Sequence, residues 1–173
     1  MIPSTYTGIV MPDDNALSAI AARIGRKLAA AQCTLAAAES CTGGWISKCV
    51  TDIAGSSQWF TEGFVTYSNQ AKHDRLGIPN STLRKHGAVS EAAARAMAIG
   101  ALRRSRADVA VAVTGIAGPG GGVPGKPVGT VWLAWAHRRG RGIQVAVEMR
   151  HFRGDRDAIR RKTVRAALLG LMR

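Results

Sequence analysis

The segment DVAVAVTGI, residues 108–116, constrains the fold more than any other part of the sequence. Its uninterrupted run of valine and alanine is the clearest buried strand in the chain. Four further segments have strand character: CTLAAAE and GFVTYS before it, and GTVWLAWAH and IQVAVEMRHF after it. The turn-like RRGRG joins the last two, which predicts that they are neighbours.

Helical patterns lie between and beyond these strands. Apolar residues recur at the spacing of an amphipathic helix at Leu17, Ile20, Ala21, Ile24 and Leu28. The other predicted helices are an opening at GGWISKCVTD, a helical turn over residues 69–76, VSEAAARAMAIGALRRSRA with Ser90 as its cap, and a final helix from about Asp155.

The order of these elements predicts the fold class. Helices alternate with strands early and paired strands come late, which is typical of an α/β protein with three α/β/α layers and a mixed β-sheet. A length of 173 residues fits a single domain with a full core. We expect residues 1–14 to be a flexible lead-in and residues 15–173 to form the domain.

The chain is strongly basic, with a net charge of +13 that is concentrated in its later part. Such a charge attracts nucleic acid, a membrane surface or a small anionic substrate. The basic residues are dispersed and are not interleaved with aromatic residues, as a single-strand binder would prefer. Solvated helix faces and loops are therefore the simpler interpretation, and we expect no nucleic-acid partner.

Other features of the composition indicate a cytoplasmic protein. The three cysteines, Cys33, Cys41 and Cys49, are odd in number and lack paired metal spacing, which favours free thiols in a reducing compartment. No apolar run approaches the roughly 20 residues of a membrane span. The first residues lack the basic and apolar segments of a secretory signal.

A glycine-rich segment, TGIAGPGGGVPGKPVG, spans Thr114 to Gly129. Part of it nearly matches a nucleoside-triphosphate loop, but Pro127 replaces the magnesium-binding hydroxyl and a strand follows in place of a helix. A dinucleotide-binding fingerprint fails for the same reason. Two interpretations stay open: a flexible surface connection, or a loop that offers backbone N–H groups and the Thr114 hydroxyl to an anion.

The segment LAAAESCTGGWISK, residues 35–48, places Ser40 between a strand and a helix. A serine at such a junction is commonly a helix cap. It is alternatively a nucleophile, since Gly43 and Gly44 allow close approach of a substrate and Thr42 is a second candidate cap. The pattern alone leaves both roles open.

A serine nucleophile needs a base, and the chain offers two kinds. The histidines lie in no recognisable triad context: His73, His86, His137 and His151. A lysine kept neutral by desolvation or by nearby positive charge is the other option, and in GFVTYSNQAKHD Tyr67 ends a strand and Lys72 follows five residues later. Taken alone, these two are more simply a core or edge aromatic and a solvated lysine.

Longer motifs in the same regions resemble the CinA C-terminal domain family, over about residues 15–171 and in order. They are A-E-S-C-T-G-G, V-T-Y-S-N-x-x-K, G-I-A-G-P-x-G-G and G-D-R. The resemblance implies the stand-alone form, without the N-terminal domain that longer members carry. It also implies an amidohydrolase that converts nicotinamide mononucleotide to nicotinic acid mononucleotide and ammonia, a step of pyridine-nucleotide salvage.

The family's catalytic residues correspond to Ser40, Tyr67 and Lys72, with no departure at these positions. The resemblance thus implies that Lys72, directly or through Tyr67, takes the Ser40 proton during attack on the carboxamide. The expected substrate contacts are Thr42 and Gly43 at the oxyanion and, at the phosphate, Thr114, Gly115, Gly118 and Arg156. Arg156 is alternatively a surface arginine at a helix start.

The scheme needs no cofactor and no metal. Its partners are a small-molecule nucleotide substrate and, because the resemblance implies it, further copies in a homo-oligomer. Trp59, Phe60 and residues 91–101 are candidate interface surface or ordinary core. Three alternatives stay open: Cys41 as the nucleophile, a related nucleotide amide as the substrate, and a basic module of competence or DNA repair without catalysis.

Overall fold

The computed structural model of the protein describes residues 13–173, which form a five-stranded mixed sheet with helices on both faces. The strands are β1 (Leu35–Glu39), β2 (Phe60–Val65), β3 (Val109–Gly115), β4 (Thr130–Arg139) and β5 (Gly142–His151). The α-helices are α1 (Asp14–Ala30), α2 (Trp45–Thr51), α3 (Asn69–Leu76), α4 (Asn80–His86), α5 (Glu91–Ser105) and α6 (Arg156–Gly170). The predicted α/β/α class is confirmed, although the sequence pattern does not indicate α4.

The strand order in the sheet is β2-β1-β3-β4-β5. Strand β1 pairs in parallel with both β2 and β3, whereas β3, β4 and β5 are antiparallel neighbours. The carboxyl ends of β1, β2 and β3 therefore meet at one edge of the sheet. The segments that carry Ser40, Tyr67 and Thr114 all leave the sheet at that edge.

The two faces of the sheet carry side chains of different size. In β3 the valines, as at Val111, face a layer formed by α1, α2 and α6, and the alanines, as at Ala112, face α5. Small side chains let a helix lie close to the sheet, so alanine suits the central strands on that face. The packing extends to Gly100 of α5, where an added Cβ would meet the carbonyl oxygen of Leu76.

Short polar side chains begin several helices. Ser90 caps α5, as the sequence predicts, and Asp155 caps α6; each accepts a hydrogen bond from the backbone N–H three positions later. Asp13 caps α1, so regular structure begins inside the predicted lead-in at residues 1–14. The rest of that segment, residues 1–12, lies outside the described residues.

The candidate interface residues are largely core residues. Trp59 is buried and packs against Gly25 of α1, where an added Cβ would lie within 3 Å of the indole ring. The sheet-facing side of α5 is buried as well. Trp59 and the buried side of α5 therefore offer little free surface to another copy of the chain, and the homo-oligomer stays a prediction.

Candidate active site

Ser40 is the first residue after β1, and its backbone continues the sheet for one more position. Its N–H donates to the carbonyl of Val113 in β3, while the N–H of Thr66 donates to the carbonyl of Glu39. Three loops are thereby fixed side by side at the carboxyl edge of the sheet. This is the edge at which ligands commonly bind in α/β proteins.

Lys72 contacts the Ser40 hydroxyl from a buried position. It lies in the first turn of α3, which begins with the Ser68 cap, and only 1% of it is exposed. Its Nζ lies 3.1 Å from Ser40 Oγ and donates to the carbonyl of Thr66 over 2.7 Å. None of the ion pairs within residues 13–173 includes Lys72.

This environment favours a neutral amine at Lys72. Burial lowers the pKa of Lys72, because the ammonium form loses its hydration and gains no carboxylate partner, and the Cys41 thiol offsets the shift only in part. A neutral amine beside a serine hydroxyl is a general base in position. The structure thus places Ser40 and Lys72 as a nucleophile and base would lie.

The start of α2 is held by Glu39, which the sequence analysis does not single out. Its carboxylate is fully buried. It accepts hydrogen bonds from the hydroxyls of Thr42 and Ser47 and from the N–H groups of Gly44, Ile46 and Ser47. The alternative in which Ser40 caps this helix is wrong, because Glu39 takes that place and the Ser40 hydroxyl faces Lys72. The available signal was a glutamate at the end of an apolar strand just before a helix.

Tyr67 and Arg156 form a second contact at the same edge. The Tyr67 hydroxyl accepts a hydrogen bond of 2.8 Å from Arg156, and the other guanidinium nitrogen donates to the carbonyl of Gly118 over 2.7 Å. Arg156 therefore joins the start of α6 to the loop after β2 and to the glycine-rich loop. The Tyr67 ring is largely exposed, and its hydroxyl bonds to Arg156 and not to Lys72.

A cavity of about 220 Å³ brings most of the predicted residues together. The predicted residues that line it are Ser40, Tyr67, Lys72, Thr114, Gly115 and Arg156. Cys41, Ala88, Val89 and Ala117 complete its wall, and sequence reasoning does not find the last three because they carry no reactive group. Of these four residues, the sequence analysis considers Cys41, as an alternative nucleophile.

Three predicted substrate contacts do not line this cavity, and their groups have other partners. The Thr42 hydroxyl donates to Glu39, the Gly43 N–H donates to the Ser40 carbonyl, and the Gly118 carbonyl accepts from Arg156. Thr114 does line the cavity, but its hydroxyl donates to the carbonyl of Ala88 over 2.8 Å. That these four residues contact the substrate stays a prediction.

The glycine-rich loop leads from β3 directly into β4, so no helix start is available there for phosphates. Gly115 lines the cavity at the start of the loop, where an added Cβ would lie 2.7 Å from the Val131 side chain. A side chain at this position would therefore collide with β4. The loop is not a nucleoside-triphosphate loop, as expected from Pro127.

Cys41 is a poor nucleophile despite its place beside Ser40. Burial raises the pKa of its thiol to about 12, so the thiolate is scarce at neutral pH. All three cysteines are free thiols, as predicted. Within residues 13–173, no group of three or more His, Cys, Asp or Glu side chains is arranged to hold a metal ion, and no helix is long and apolar enough to cross a membrane.

Comparison with known proteins agrees with the family that the sequence motifs indicate. The family model for the CinA C-terminal domain matches residues 17–173. The chain belongs to the CinA C-terminal domain family. A relative from Escherichia coli K12, named nicotinamide-nucleotide amidohydrolase PncC, is 54% identical over 155 residues, covering 90% of this chain and 92% of the relative. A protein of the same name from Pseudomonas putida is 50% identical, covering 90% and 95%.

Solved structures of CinA proteins share the fold. The crystal structure of a competence/damage inducible protein from Agrobacterium tumefaciens has a TM-score of 0.85 and 48% identity, covering 95% of this chain and 98% of that one. A competence damage-inducible protein from Klebsiella pneumoniae also has a TM-score of 0.85, at 40% identity, covering 90% and 94%. The mixed sheet and its helices are therefore common to these CinA proteins.

Proposed function

We propose that this protein hydrolyses the carboxamide of nicotinamide mononucleotide, giving nicotinic acid mononucleotide and ammonia. The names of close relatives that cover nearly the whole chain support this activity. The observation that carries it is the contact of 3.1 Å between the Ser40 hydroxyl and the buried amine of Lys72. A serine paired with a neutral amine is suited to attack on an amide carbon.

In the proposed mechanism, neutral Lys72 takes the Ser40 proton as Oγ attacks the carboxamide carbon. The carbonyl of Thr66 holds the amine in place and stabilises the ammonium that forms. Lys72 then gives this proton to the leaving nitrogen, and ammonia departs from the acyl-enzyme. A water molecule, deprotonated by Lys72, attacks the ester, and the proton returns to Ser40 as the acid product leaves.

The charge of the substrate suits this site. The pyridinium ring draws electrons from the amide carbon, and its positive charge disfavours protonation of Lys72 in the complex. Arg156 stands at the rim with a planar guanidinium that pairs well with two phosphate oxygens, so we assign it to the 5′-phosphate. The net charge of +13 also steers an anionic nucleotide toward the protein.

Ammonia release by the purified protein tests the proposal, with nicotinamide mononucleotide, nicotinamide riboside and free nicotinamide as substrates. We expect rapid turnover of the mononucleotide and weak or no turnover of the other two. The Ser40→Ala variant should lose turnover but keep binding of nicotinic acid mononucleotide, measured by calorimetry. Turnover retained in Ser40→Ala would reject the nucleophile, and inactivity of the wild type on all three compounds would reject the substrate.

The setting of this activity is part of the proposal. We infer a cytoplasmic enzyme, because all three cysteines are free thiols, as is usual in a reducing compartment. We also infer a homo-oligomer, for which sedimentation velocity is the test. A monomer at all concentrations would reject the oligomer without affecting the proposed reaction.

A further inference from the structure

The turn that carries Ser40 leaves two backbone N–H groups uncommitted. Within residues 13–173, the N–H of Thr42 has no acceptor, and that of Cys41 contacts only its own sulfur. The other N–H groups of residues 40–47 have partners: Val113 for Ser40, Ser40 for Gly43, Thr42 for Trp45, and Glu39 for Gly44, Ile46 and Ser47. Backbone donors in a protein interior are almost always paired, so two in succession beside a nucleophile need an explanation.

Arg160 holds the carbonyl groups of the same turn. Its Nε donates to the carbonyl of Cys41 over 3.1 Å and its Nη2 to the carbonyl of Thr42 over 2.8 Å. The guanidinium is a rigid planar fork, so two bonds fix the direction of both carbonyls. In a trans peptide the N–H points opposite to the carbonyl, and the Thr42 N–H therefore points away from Arg160.

The bond from Arg160 to the Thr42 carbonyl also orients the Cys41 N–H, indirectly through Gly43. By holding the Thr42 carbonyl, Arg160 orients the peptide whose N–H belongs to Gly43. That N–H donates to the carbonyl of Ser40, which in turn orients the peptide that carries the Cys41 N–H. The N–H groups of Cys41 and Thr42 both belong to peptides that Arg160 holds, one directly and the other through Gly43.

Arg160 lies on the far side of the turn from the catalytic cavity. It lines a separate depression with Gly43, Gly44 and Trp45, and its guanidinium lies 5.1 Å from the centre of the Trp45 ring. It does not line the cavity that contains Ser40 and Lys72. Any effect of Arg160 on the reaction therefore passes through the turn and not through contact with the substrate.

We propose that Arg160 is a positioning residue that aims the N–H groups of Cys41 and Thr42 at the negative charge on the amide oxygen in the transition state. This inference rests on the proposed reaction of Ser40 with a carboxamide. A charged donor on each carbonyl also polarises the attached peptide and strengthens its N–H as a donor. The role is electrostatic and appears only as charge develops on the oxygen.

Kinetics of Arg160→Met and Arg160→Lys test the proposal, with Arg161→Met as the matched control. Arg161 is the next residue of α6 and also stacks on Trp45, and it forms ion pairs with Asp14 and Asp157, which lie outside the turn. We expect kcat of Arg160→Met to fall by about 10- to 100-fold, with KM and the affinity for nicotinic acid mononucleotide nearly unchanged. Arg160→Lys should retain an intermediate kcat because an ammonium does not reproduce the fork.

A reagent that needs no knowledge of the substrate separates this inference from the proposed function. A fluorophosphonate reacts with an activated serine and develops negative charge on its phosphoryl oxygen. We expect Ser40 of Arg160→Met to be labelled about tenfold or more slowly than Ser40 of the wild type and of Arg161→Met, as measured by mass spectrometry.

Equal labelling rates in the wild type and both Arg160 variants, or no labelling in any of them, would overturn the inference. A fall in kcat accompanied by an equal loss of product binding would also overturn it, since that result indicates a collapsed site. If Arg160→Met melts below the assay temperature, Arg160→Lys at full stability decides the question by the same criteria. A wild type that is labelled at Ser40 but does not hydrolyse the mononucleotide would reject the substrate and keep the role of Arg160.

Discussion

The side-chain nitrogen of Lys72 lies 3.1 Å from the hydroxyl oxygen of Ser40, although the two residues are 32 positions apart in the sequence. The contact exists because β1 and β2 are parallel neighbours, so that the residues following each strand emerge side by side. Lys72 is buried there and has no carboxylate partner in the described part of the chain. Because burial lowers its pKa, the proposed reaction should depend on pH in a predictable way.

The rate of hydrolysis should rise with pH and level off below the ordinary pKa of a lysine. Burial lowers the pKa of Lys72 from 10.5, and only the neutral amine accepts the Ser40 proton. Initial rates of ammonia release across neutral and alkaline pH measure this profile. Lys72→Arg should lose about a thousandfold or more in kcat, because arginine keeps its proton. A flat profile, or an active arginine variant, would contradict Lys72 as the base.

The same lowered pKa makes the stability of the protein depend on pH. Between the folded and unfolded pKa values of Lys72, the unfolded chain binds more protons, so this residue makes the folded state more stable as pH rises. The free energy of unfolding of the wild type should therefore increase relative to Lys72→Met as pH rises toward 10.5. Urea unfolding of both proteins at several pH values measures the difference, and a difference independent of pH would show that the folded pKa is not lowered.

Glu39 should be essential for the stability of the turn that joins Ser40 to α2. Its buried carboxylate accepts five hydrogen bonds, and glutamine would replace one acceptor oxygen with a donor that meets other donors. We expect Glu39→Gln to reduce the free energy of unfolding by about 3 kcal/mol. Glu62→Gln, on an exposed position of β2, is the control and should change little. Equal effects of the two substitutions in urea unfolding would contradict this role.

The sequence predicts the strands, the layers and the cap of α5 well, because local patterns determine them. The valines and alanines of β3 fill the two faces of the sheet, and Ser90 caps α5 through a bond to the residue three positions later. The helix α4 is missed because its sequence, NSTLRKH, is short and polar. Local pattern carries no signal there.

The site is predicted less completely, since its contacts join distant parts of the chain. The residue pattern leaves Ser40 as a cap or a nucleophile, and the family resemblance directs attention to Lys72. The capping role of Glu39 and the hold of Arg160 on the turn depend on how α2 and α6 pack after folding. No spacing in the sequence encodes those contacts.

Cys41 should be dispensable for catalysis. Burial raises the pKa of its thiol to about 12, so it stays protonated at neutral pH and does not compete with Ser40. We expect Cys41→Ala to keep kcat within a factor of about three and to lose about 1 kcal/mol of stability from the small cavity. Ammonia release and thermal unfolding measure the two effects. A variant that is stable but inactive would return Cys41 to the list of candidate nucleophiles.

Tyr67 should affect the reaction through Arg156. Its hydroxyl accepts a hydrogen bond from Arg156, and among the described residues no hydrogen bond joins it to Lys72. Tyr67→Phe should therefore raise KM for the mononucleotide several-fold, which corresponds to about 1 kcal/mol of lost binding free energy. The pH dependence of the rate should not change. A profile displaced toward higher pH in this variant would instead show that Tyr67 relays the proton between Ser40 and Lys72.

Arg156 should determine selectivity for the phosphate. We expect Arg156→Gln to raise KM for nicotinamide mononucleotide by about 10- to 100-fold, the equivalent of one or two lost charge-assisted hydrogen bonds. The rate with nicotinamide riboside, which lacks the phosphate, should hardly change. Arg153→Gln is the control, since Arg153 is an exposed arginine three positions earlier. An equal loss with both substrates would show that Arg156 acts by holding Tyr67 and the Gly118 carbonyl, because that structural role does not distinguish a nucleotide from a nucleoside.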